Sequence, residues 1–340
     1  MFKKIRLKQN MISPALFLAP MAGVTHSAFR RLLSDFGGYG ALYTEMLSGP
    51  ALLHENLTHS PFTKKRRCEG KVLYQLQLSG HEDIQSIVTK LKTINPFGLD
   101  LNLGCPAPNI RKRGGGSELF NNSETMKKIL GGIRNHWAGI LTVKCRLGSN
   151  QDNWQKGFLE NLKIFEAHQV DAVTVHPRFS GDKLKRRARW ELFPWIVDQT
   201  NIPVIGNGDI LSAGHINENN DLLSKLSGLM IGRAAIVKPW IFLEISDPDF
   251  SFPLEQDGFT VTYRDVWKTL FKYTLEDFPA EKAIGRIKEF TAYFARNFFF
   301  GHELYRAVQG AKNLENLYDA AMAFFETNPR TSQNPSVAGI

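Results

Sequence analysis

The sequence predicts an α/β fold, a closed (β/α)8 barrel followed by a small C-terminal helical bundle. Three observations predict it: eight short apolar segments recur along the first three quarters of the 340-residue chain, stretches with helical periodicity follow most of them, and the alternation stops at a linker rich in Pro, Asp and Gly. Strands that alternate with helices pair in parallel through right-handed crossovers. Eight such units favour the closed TIM barrel over the alternative, an open doubly wound sheet.

The predicted elements follow one another in regular order. Strands are predicted over 16–21, 40–46, 72–78, 98–104, 140–146, 172–176, 202–208 and 227–232. Helices between them are predicted over 26–36, 82–93, 123–134, 155–168, 211–223 and 236–245, and further helices over 261–277, 280–299 and 303–326. These elements divide the chain into a barrel domain (1–250), a helical domain (259–327) and a polar, Pro-containing tail (328–340) that we expect to be disordered.

Composition limits the class of protein. The chain has 42 Lys and Arg against 33 Asp and Glu, and this net charge of +9 favours a polyanionic partner such as nucleic acid. Cys68, Cys105 and Cys145 lack the spacing of a disulfide framework or a zinc site, so no metal is expected. Pro14 and Pro20 interrupt the short N-terminal apolar run, unlike a signal peptide or membrane span. We expect a cytoplasmic protein, monomeric because no obligate protein partner is evident.

Polar or conformationally special residues stand at every predicted strand end, where a (β/α)8 barrel has its active site. They are Pro20, Met21 and Ala22, then Glu45, Gln77, Asn102, Cys105, Lys144, Arg146, His176, Arg178, Asn207, Gly208, Asp209, Gly232 and Arg233. Taken singly, a residue such as His176 or Cys105 is as often part of the core as functional. Lys144 is different, because a lysine in an apolar strand needs an anion or another partner. Their joint placement predicts an active site.

The turns "IGNGDI" and "IGRAA" put small residues after the last two predicted strands. Backbone N–H groups in such turns, together with Arg233, can surround a phosphate. The sequence therefore predicts a phosphorylated ligand. No GxGxxG follows a strand, which argues against a Rossmann dinucleotide site.

Seven motifs in this order resemble those of the tRNA-dihydrouridine synthases, with the bacterial B-type branch nearest. The motifs are "APMAGVTHSAFR", "QLSG", "DLNLGCP", "VKCRLG", "HPR", "IPVIGNGDI" and "MIGRAAIVKPWIF". The resemblance covers roughly residues 10 to 325. It implies an FMN-binding barrel, a tRNA-binding helical domain, and reduction of particular uridines in tRNA to 5,6-dihydrouridine with NADPH.

The resemblance also implies roles for individual residues. FMN contacts are implied for Pro20, Met21, Ala22, Gln77, Lys144, His176, Asn207, Gly208, Asp209, Gly232 and Arg233. Cys105 corresponds to the proton donor, and Asn102 and Arg178 correspond to residues that hold the uracil. The loop after "HPR" departs from the family pattern at Phe179, Leu184, Arg186 and Arg189.

The chemistry of uracil agrees with these roles. The C5=C6 bond is conjugated to the C4 carbonyl, so hydride from reduced flavin enters at C6 and C5 must then be protonated. A thiol with an ordinary pKa of about 8.5 is mostly protonated at neutral pH, so we expect Cys105 to act as an acid without an activating base. Lys144 and His176 are expected to stabilise negative charge on the reduced flavin.

Two basic loops follow strand ends and are predicted to bind tRNA phosphates on the active-site face. They are "RKRGGG" (111–116), with Arg111 and Arg113, and "DKLKRRARW" (182–190), with Arg186. The glycines of the first loop, 114–116, are expected to let it close over the substrate. "KKRR" (64–67) precedes a strand, so it is interpreted as a solvated charge run on the opposite face. In the helical domain, Lys282, Arg286, Lys288, Arg296 and Arg306 are interpreted as a tRNA surface.

Two other functions remain open from the sequence. The first is an FMN-dependent oxidoreductase of free pyrimidines, against which the basic loops and the helical domain argue. The second is an RNA-binding relative that has lost catalysis, against which the joint presence of Cys105, Lys144 and His176 argues.

Overall fold

A parallel barrel forms the first part of the protein. The computed structural model describes residues 4–149, 152–182, 186–256, 259–332, 335 and 337. An antiparallel hairpin, β1 (Ile5–Leu7) and β2 (Asn10–Ile12), precedes the barrel. The barrel strands are β3 (Leu16–Leu18), β4 (Leu42–Tyr43), β5 (Leu47–Ser48), β6 (Val72–Gln77), β7 (Gly98–Leu103), β8 (Ile140–Arg146), β9 (Ala172–His176), β10 (Val204–Asn207) and β11 (Gly228–Ile231).

The strands pair in parallel in chain order around the barrel. The order is β3, β11, β10, β9, β8, β7, β6 and β4, and β5 continues the second strand alongside β6. An isolated parallel bridge between Phe17 and Ala41 joins β3 to the β4 side, so the two ends of the sheet meet. The predicted (β/α)8 barrel and its eight strand positions are therefore confirmed.

The hairpin closes the N-terminal end of the barrel, which the sequence analysis did not foresee. Its buried side chains, Ile5, Leu7 and Ile12, share one apolar cluster with the barrel residues Phe17 and Met230. Apolar packing of this kind excludes water from the N-terminal end of the barrel interior.

The helices of the barrel domain surround the strands. They are α1 (Ser27–Phe36), α2 (Gly49–His54), α3 (Ile84–Lys92), α4 (Pro108–Arg111), α5 (Ser117–Phe120), α6 (Ser123–His136), α7 (Trp154–Ala167), α8 (Phe193–Val197), α9 (Ala213–Glu218), α10 (Asn220–Leu223), α11 (Arg233–Val237) and α12 (Ile241–Ser246). Side chains of Asp83 and Asn122 cap α3 and α6 by accepting a backbone hydrogen bond. The short helices α2, α4, α5 and α8 are too brief for a periodic signal and were not predicted.

A second hairpin and four helices follow the barrel. The hairpin strands are β12 (Leu254–Gln256) and β13 (Phe259–Val261), and the helices are α13 (Tyr263–Asp277), α14 (Ala280–Phe294), α15 (Gly301–Gly310) and α16 (Leu314–Glu326). The single helix predicted over 303–326 is wrong, because two helices occupy it. The side chain of Asn313 accepts a hydrogen bond from the backbone N–H of Asn316 and so starts a new helix there.

The tail differs from the expected disorder where it is described. Thr331 forms an antiparallel bridge with Phe298, and the Ser332 N–H donates to the Asn297 carbonyl at 2.7 Å. Val337 is buried. The backbone of the tail is therefore hydrogen-bonded to the segment that follows α14. Residues 333, 334, 336 and 338–340 lie outside the described residues.

The interpretation of 64–67 as a solvated run is wrong for Lys64 and Arg66, whereas Lys65 and Arg67 are exposed. The Lys64 Nζ and Arg66 Nη2 atoms both lie 2.5 Å from the Asp277 carboxylate, whose side chain is fully buried at the end of α13. Asp277 also accepts from the Ser27 hydroxyl at the start of α1. Lys64 and Arg66 thereby join the helical domain to the barrel beside α1. Lys65 lines a pocket with Asn10 and Asn95 at the N-terminal end of the barrel, on the face that topology predicts.

None of the helices in the described ranges is long and apolar enough to cross a membrane. The three cysteines are all free, with Cys68 exposed, Cys105 half-buried and Cys145 buried.

Candidate active site

A cavity of about 270 Å³ opens where β3, β8, β9, β10 and β11 end. Its lining brings together most of the predicted cofactor residues with Arg178: Pro20, Met21, Ala22, Lys144, His176, Arg178, Asn207, Gly208, Asp209, Gly232 and Arg233. Glu289 and Tyr293 of α14 and Val337 of the tail complete the wall. Both parts of the protein therefore build this site.

Lys144 supplies a cationic donor that no protein group uses. Its side chain has no hydrogen-bond or ion-pair partner among the described residues, although it lines the cavity. Burial, and next the charge of Arg146, lower its pKa to about 8, against the opposing effect of Asp100. At pH 7 the amine is still mostly protonated, so it is available to an acceptor or an anion in the cavity.

His176 is held neutral and in one tautomer. Its Nε2 atom lies 2.7 Å from the Nη1 atom of Arg178, and a guanidinium only donates, so Nε2 accepts and Nδ1 carries the proton. Burial, and next the charge of Lys144, lower the pKa of His176 well below its usual value. The Nδ1–H has no partner among the described residues. His176 therefore offers the cavity a neutral N–H donor, which can stabilise negative charge on a ligand through a hydrogen bond.

Asp209 connects two arginines at the edge of the cavity. Its carboxylate accepts from Arg178 Nη2 at 2.7 and 2.9 Å and from Arg233 Nη2 at 3.3 Å. The Ala188 N–H donates to the same carboxylate at 2.7 Å. The Arg233 Nη1 atom donates to the carbonyl of Val337 at 3.0 Å. This network orients both guanidinium groups around the end of β10 and leaves Arg178 little freedom to move.

Gly208 packs so closely against His176 that any side chain at this position would clash with the ring. Its φ is +110°, and a Cβ atom built there would lie 2.6 Å from Cδ2 of His176. The neighbouring Asn207 donates from Nδ2 to the Met230 carbonyl at 2.8 Å, which locks the ends of β10 and β11 together. The "GNG" turn thus lets the His176 ring pack directly against the backbone at the cavity wall.

Asn102 positions the cysteine loop through a buried chain of hydrogen bonds. Its Oδ1 accepts from the N–H of Cys105 at 3.0 Å, and its Nδ2 donates to Gln75 Oε1 at 2.8 Å. Gln75 Nε2 in turn donates to Asp100, which also accepts from Thr142. Burial raises the pKa of Asp100 to about 6. Gln75, Asp100 and Thr142, whose side chains lie inside the barrel below the strand ends, were not predicted from the sequence.

Glycine packs directly against Cys105. The φ of Gly116 is +58°, and a Cβ there would lie 2.5 Å from the carbonyl oxygen of Cys105. The same carbonyl accepts from the Ser117 N–H at 3.0 Å. Among the described residues no imidazole or carboxylate hydrogen-bonds to the Cys105 thiol.

The remaining predicted residues lie outside the described lining of this cavity. Gln77 contacts the 111–116 loop, since a Cβ on Gly115 would lie 2.4 Å from Gln77 Nε2. Arg111 is exposed and 3.3 Å from Glu118, and Arg113 is exposed. Arg186 is exposed and 3.3 Å from the buried Asp182. Leu184 lies outside the described residues.

An arginine-lined pocket of about 610 Å³ adjoins the cavity. It shares Arg178, Asp209 and Arg233 with the cavity, and further lining residues are Arg186, Arg187, Arg189, Trp190 and His215. Arg189 is committed elsewhere, since it contacts Asp182 at 2.5 Å and stacks 4.7 Å above Phe179. Arg186, which also pairs with Asp182, and Arg187 are both exposed and line this pocket, so the substituted loop keeps a cationic surface beside the site.

Two of the helical-domain cations have structural roles. Lys288 Nζ donates to the carbonyls of Gln309 and Ala311 at the end of α15. Arg286 faces the barrel, with its guanidinium 5.5 Å from the rings of both Phe62 and Phe278. Lys282 and Arg306 are exposed. Only part of the predicted cationic surface is therefore free for a ligand.

In the described part of the chain no group of three or more His, Cys, Asp or Glu side chains could hold a metal ion. The donors that face the cavity are nitrogen groups, namely an ammonium, an imidazole N–H and guanidinium groups. Such groups bind anions and carbonyl oxygens.

A closed barrel of eight parallel strands with a cationic cavity at their carboxyl ends defines a TIM-barrel enzyme. The family described as "Dihydrouridine synthase (Dus)" matches residues 17–324. The chain belongs to the dihydrouridine synthase family.

Curated relatives agree with this assignment. The chain is 30% identical over 244 residues to tRNA-dihydrouridine synthase B of Pasteurella multocida, covering 70% of each chain. It is 29% identical over 332 residues to a probable tRNA-dihydrouridine synthase of Mycobacterium tuberculosis, covering 92% of this chain and 82% of the relative. Among solved structures, the old yellow enzyme from Trypanosoma cruzi matches with a TM-score of 0.53 at 9% identity, over 77% of this chain and 96% of that one. That likeness shows the fold.

Proposed function

We propose that this enzyme reduces specific uridines of tRNA to 5,6-dihydrouridine, with FMN as its flavin and NADPH as the hydride donor. The observation that carries the proposal is the cavity wall, where Lys144 and the Nδ1–H of His176 face the same space without a protein partner. Family membership and the names of the curated relatives support the same reaction.

The residues present fit an FMN molecule. Lys144 and neutral His176 can donate to the polar edge of an isoalloxazine, and Gly208 lets the His176 ring take its place in the cavity wall. The end of β11, with Gly232 and Arg233, supplies backbone N–H groups and a cation for a phosphate. When bound and reduced, the flavin supplies the hydride that adds to C6 of uracil.

Cys105 delivers the proton to C5 in this proposal. Asn102 and Gln75 hold the backbone of its loop, and no basic group among the described residues takes the thiol proton. Lys144 and Arg146 lie close enough for the thiolate charge to act on the pKa values of both. A nearby cation also stabilises the thiolate left after proton transfer, before a proton from water restores the thiol.

Asn102 and Arg178 have positioning roles in this proposal, besides the uracil contacts that the family resemblance implies. Asn102 spends its Oδ1 on the Cys105 loop, and Arg178 spends Nη2 on Asp209 and Nε on the Arg186 carbonyl at 2.6 Å. We therefore assign Asn102 to positioning Cys105, and Arg178 to fixing the tautomer of His176. Exposed Arg111, Arg113 and Arg186 are the tRNA phosphate contacts.

The proposal is tested with purified holoprotein, whose flavin is first identified after denaturation. NADPH oxidation and dihydrouridine formation are followed with tRNA transcripts, free uracil and orotate. We expect turnover with tRNA alone and steep weakening of tRNA binding with salt. Turnover of a free pyrimidine would overturn the assignment of an RNA substrate.

The role of Cys105 is tested separately with Cys105→Ala, and Cys68→Ala, at an exposed position, is the control. We expect normal flavin reduction by NADPH in both variants. Dihydrouridine formation should fall about 10²- to 10⁴-fold in Cys105→Ala only. Undiminished product would remove Cys105 from the mechanism.

A further inference from the structure

Two neighbouring phenylalanines of the helical domain, Phe299 and Phe300, are exposed to solvent. Phe299 is 56% exposed and Phe300 is 63% exposed, more than any other large apolar residue in the described part of the chain. They join α14 to α15 and contribute nothing to the core there, since Phe298 and Leu304 fill it. Single exposed apolar side chains are common, but an adjacent pair of bare aromatic rings indicates a surface for a partner.

Further rings and cations surround this pair. The ring of His302 lies 6.2 Å from that of Phe300 in an edge-to-face arrangement, and the guanidinium of Arg330 lies 4.5 Å above Phe299. Tyr305, 44% exposed, is one turn beyond His302 on α15. We call Phe299, Phe300, His302, Tyr305, Arg306 and Arg330 the aromatic patch.

The charge near this patch favours an anionic partner. Residues 296–312 contain Arg296, Arg306 and Lys312 against one carboxylate, Glu303. Arg306 and Arg330 are both exposed. The Phe299 N–H donates to the Arg330 carbonyl at 3.0 Å. This backbone hydrogen bond holds Arg330 beside Phe299, where its guanidinium lies above the ring. Aromatic faces between fixed cations are the combination that binds unpaired nucleotides.

The patch lies near the candidate active site. Tyr293 lines the cavity, and Phe299 follows it by six residues, a separation of at most about 22 Å even for a fully extended chain. The tail gives a second connection, because it leaves Arg330 in the patch and brings Val337 to the cavity wall. An RNA as large as tRNA spans this distance while one of its nucleotides occupies the cavity.

We propose that the aromatic patch stacks unpaired bases of the RNA substrate, with Phe299 and Phe300 as the stacking rings and Arg306 and Arg330 as phosphate contacts. This inference rests on the proposed RNA substrate and adds where that RNA is held outside the cavity. Stacking on an aromatic face accepts any base, so the patch contributes affinity and leaves the choice of uridine to the site.

The test replaces both rings, as Phe299→Ser/Phe300→Ser, in the full-length holoprotein. Leu275→Ser is the matched control, because Leu275 of α13 is 40% exposed in the same domain. We expect the double variant to bind a tRNA transcript at least about five-fold more weakly, with an unchanged salt dependence. A blunt RNA duplex without unpaired bases should bind both proteins equally. Arg306→Gln should instead lower the salt slope by about one.

Activity with tRNA adds a second readout. The double variant should show a raised KM for tRNA with kcat unchanged, because the patch is remote from the reacting atoms. Equal affinity of the double variant and the control for tRNA overturns the stacking role, even if dihydrouridine still forms. Loss of self-association in the double variant alone, measured by sedimentation, also overturns it, since the patch would then bind another copy. If the wild type forms no dihydrouridine, the proposed function is wrong. The stacking role is then still tested by the difference in tRNA affinity between the double variant and the control.

Discussion

Asn102 accepts a hydrogen bond from the backbone N–H of Cys105 at 3.0 Å and so fixes the first turn after β7. The Gly104 N–H donates to the same oxygen at 3.2 Å. Because Gln75 holds the amide group of Asn102 from below, the position of the cysteine depends on residues inside the barrel. The barrel interior thus sets the geometry of the proposed proton donor.

Asn102→Ala is expected to lower kcat for dihydrouridine formation about ten-fold or more, because the Cys105 loop loses its anchor. Flavin reduction by NADPH should be unchanged. Asn102→Asp keeps an oxygen that accepts both N–H groups, so it should recover part of the loss. Asn161→Ala is the control, since Asn161 is equally buried but bonds to the Phe120 carbonyl. Equal losses in all three variants would point to general destabilisation.

Lys144 gives the cavity a pH-dependent charge. Its pKa of about 8 means that about half of the amines are neutral at pH 8 and most are neutral at pH 9. FMN affinity of the flavin-free protein should therefore fall as pH rises from 7 to 9. Lys144→Arg keeps its charge in this range and should show a flat profile, and Lys144→Met should bind weakly at every pH. Titration of protein fluorescence with FMN measures all three, and identical pH profiles in wild type and Lys144→Met would contradict the role of the amine.

Most residues of this site could be predicted because a strand end is recognised from local sequence, and the barrel fold determines where it lies. Lys144, His176 and Asn207 each follow a short apolar run, and parallel closure of the barrel brings all such ends to one face. The sequence does not show how these groups pair with one another. Arg178 is typical of this, since its contacts with His176 and Asp209 depend on the path of two loops.

Contacts between distant segments have no periodic signature in the sequence. Tyr293 and Val337 reach the cavity from the helical domain and the tail, and Lys64 binds Asp277 more than 200 residues away. Polar residues inside the barrel, such as Asp100, interrupt an apolar strand, and the sequence does not show which residue forms a hydrogen bond with them. The free-energy cost of burying such groups is offset by specific hydrogen bonds, and only the folded structure shows which ones form.

His26 makes the junction between barrel and helical domain sensitive to acid. Burial, then the charges of Arg286 and Arg30, lower its pKa to about 3, against the opposing effect of Asp277. The unfolded chain takes up a proton near pH 6.5 and the folded protein does not, so this stability is complete above pH 6.5 and is lost as pH falls toward 3.

The expected loss from His26 is about 1.2 kcal/mol between pH 6 and 5. Chemical denaturation of the wild type at several pH values measures this slope. His26→Gln should flatten the slope, whatever its effect on stability at pH 7. His59→Gln, at an exposed histidine, should leave the slope as it is. A wild-type slope that His26→Gln does not change would show that other groups control the acid sensitivity.

Glu45 links the helical domain to the loop that borders the cavity. Its Oε2 accepts from the Gly23 N–H at 2.8 Å, directly after Pro20, Met21 and Ala22, and its Oε1 lies 3.9 Å from Arg286 Nη1. Burial raises the pKa of Glu45, and the Gly23 hydrogen bond and the charge of Arg286 limit that rise. Removing Arg286 leaves a buried carboxylate that is more easily protonated and holds Gly23 less firmly.

Arg286→Gln should therefore weaken FMN binding several-fold although Arg286 is in the other domain. We expect the unfolding free energy to fall by about 1–3 kcal/mol, since one buried charge loses its partner. Arg264→Gln, at an exposed arginine of α13, is the control for loss of charge. A cycle with Glu45→Gln and the double variant isolates the coupling, because the two effects should not add if they act through Gly23. Additive losses of FMN affinity would mean that Arg286 acts on the site by a separate route.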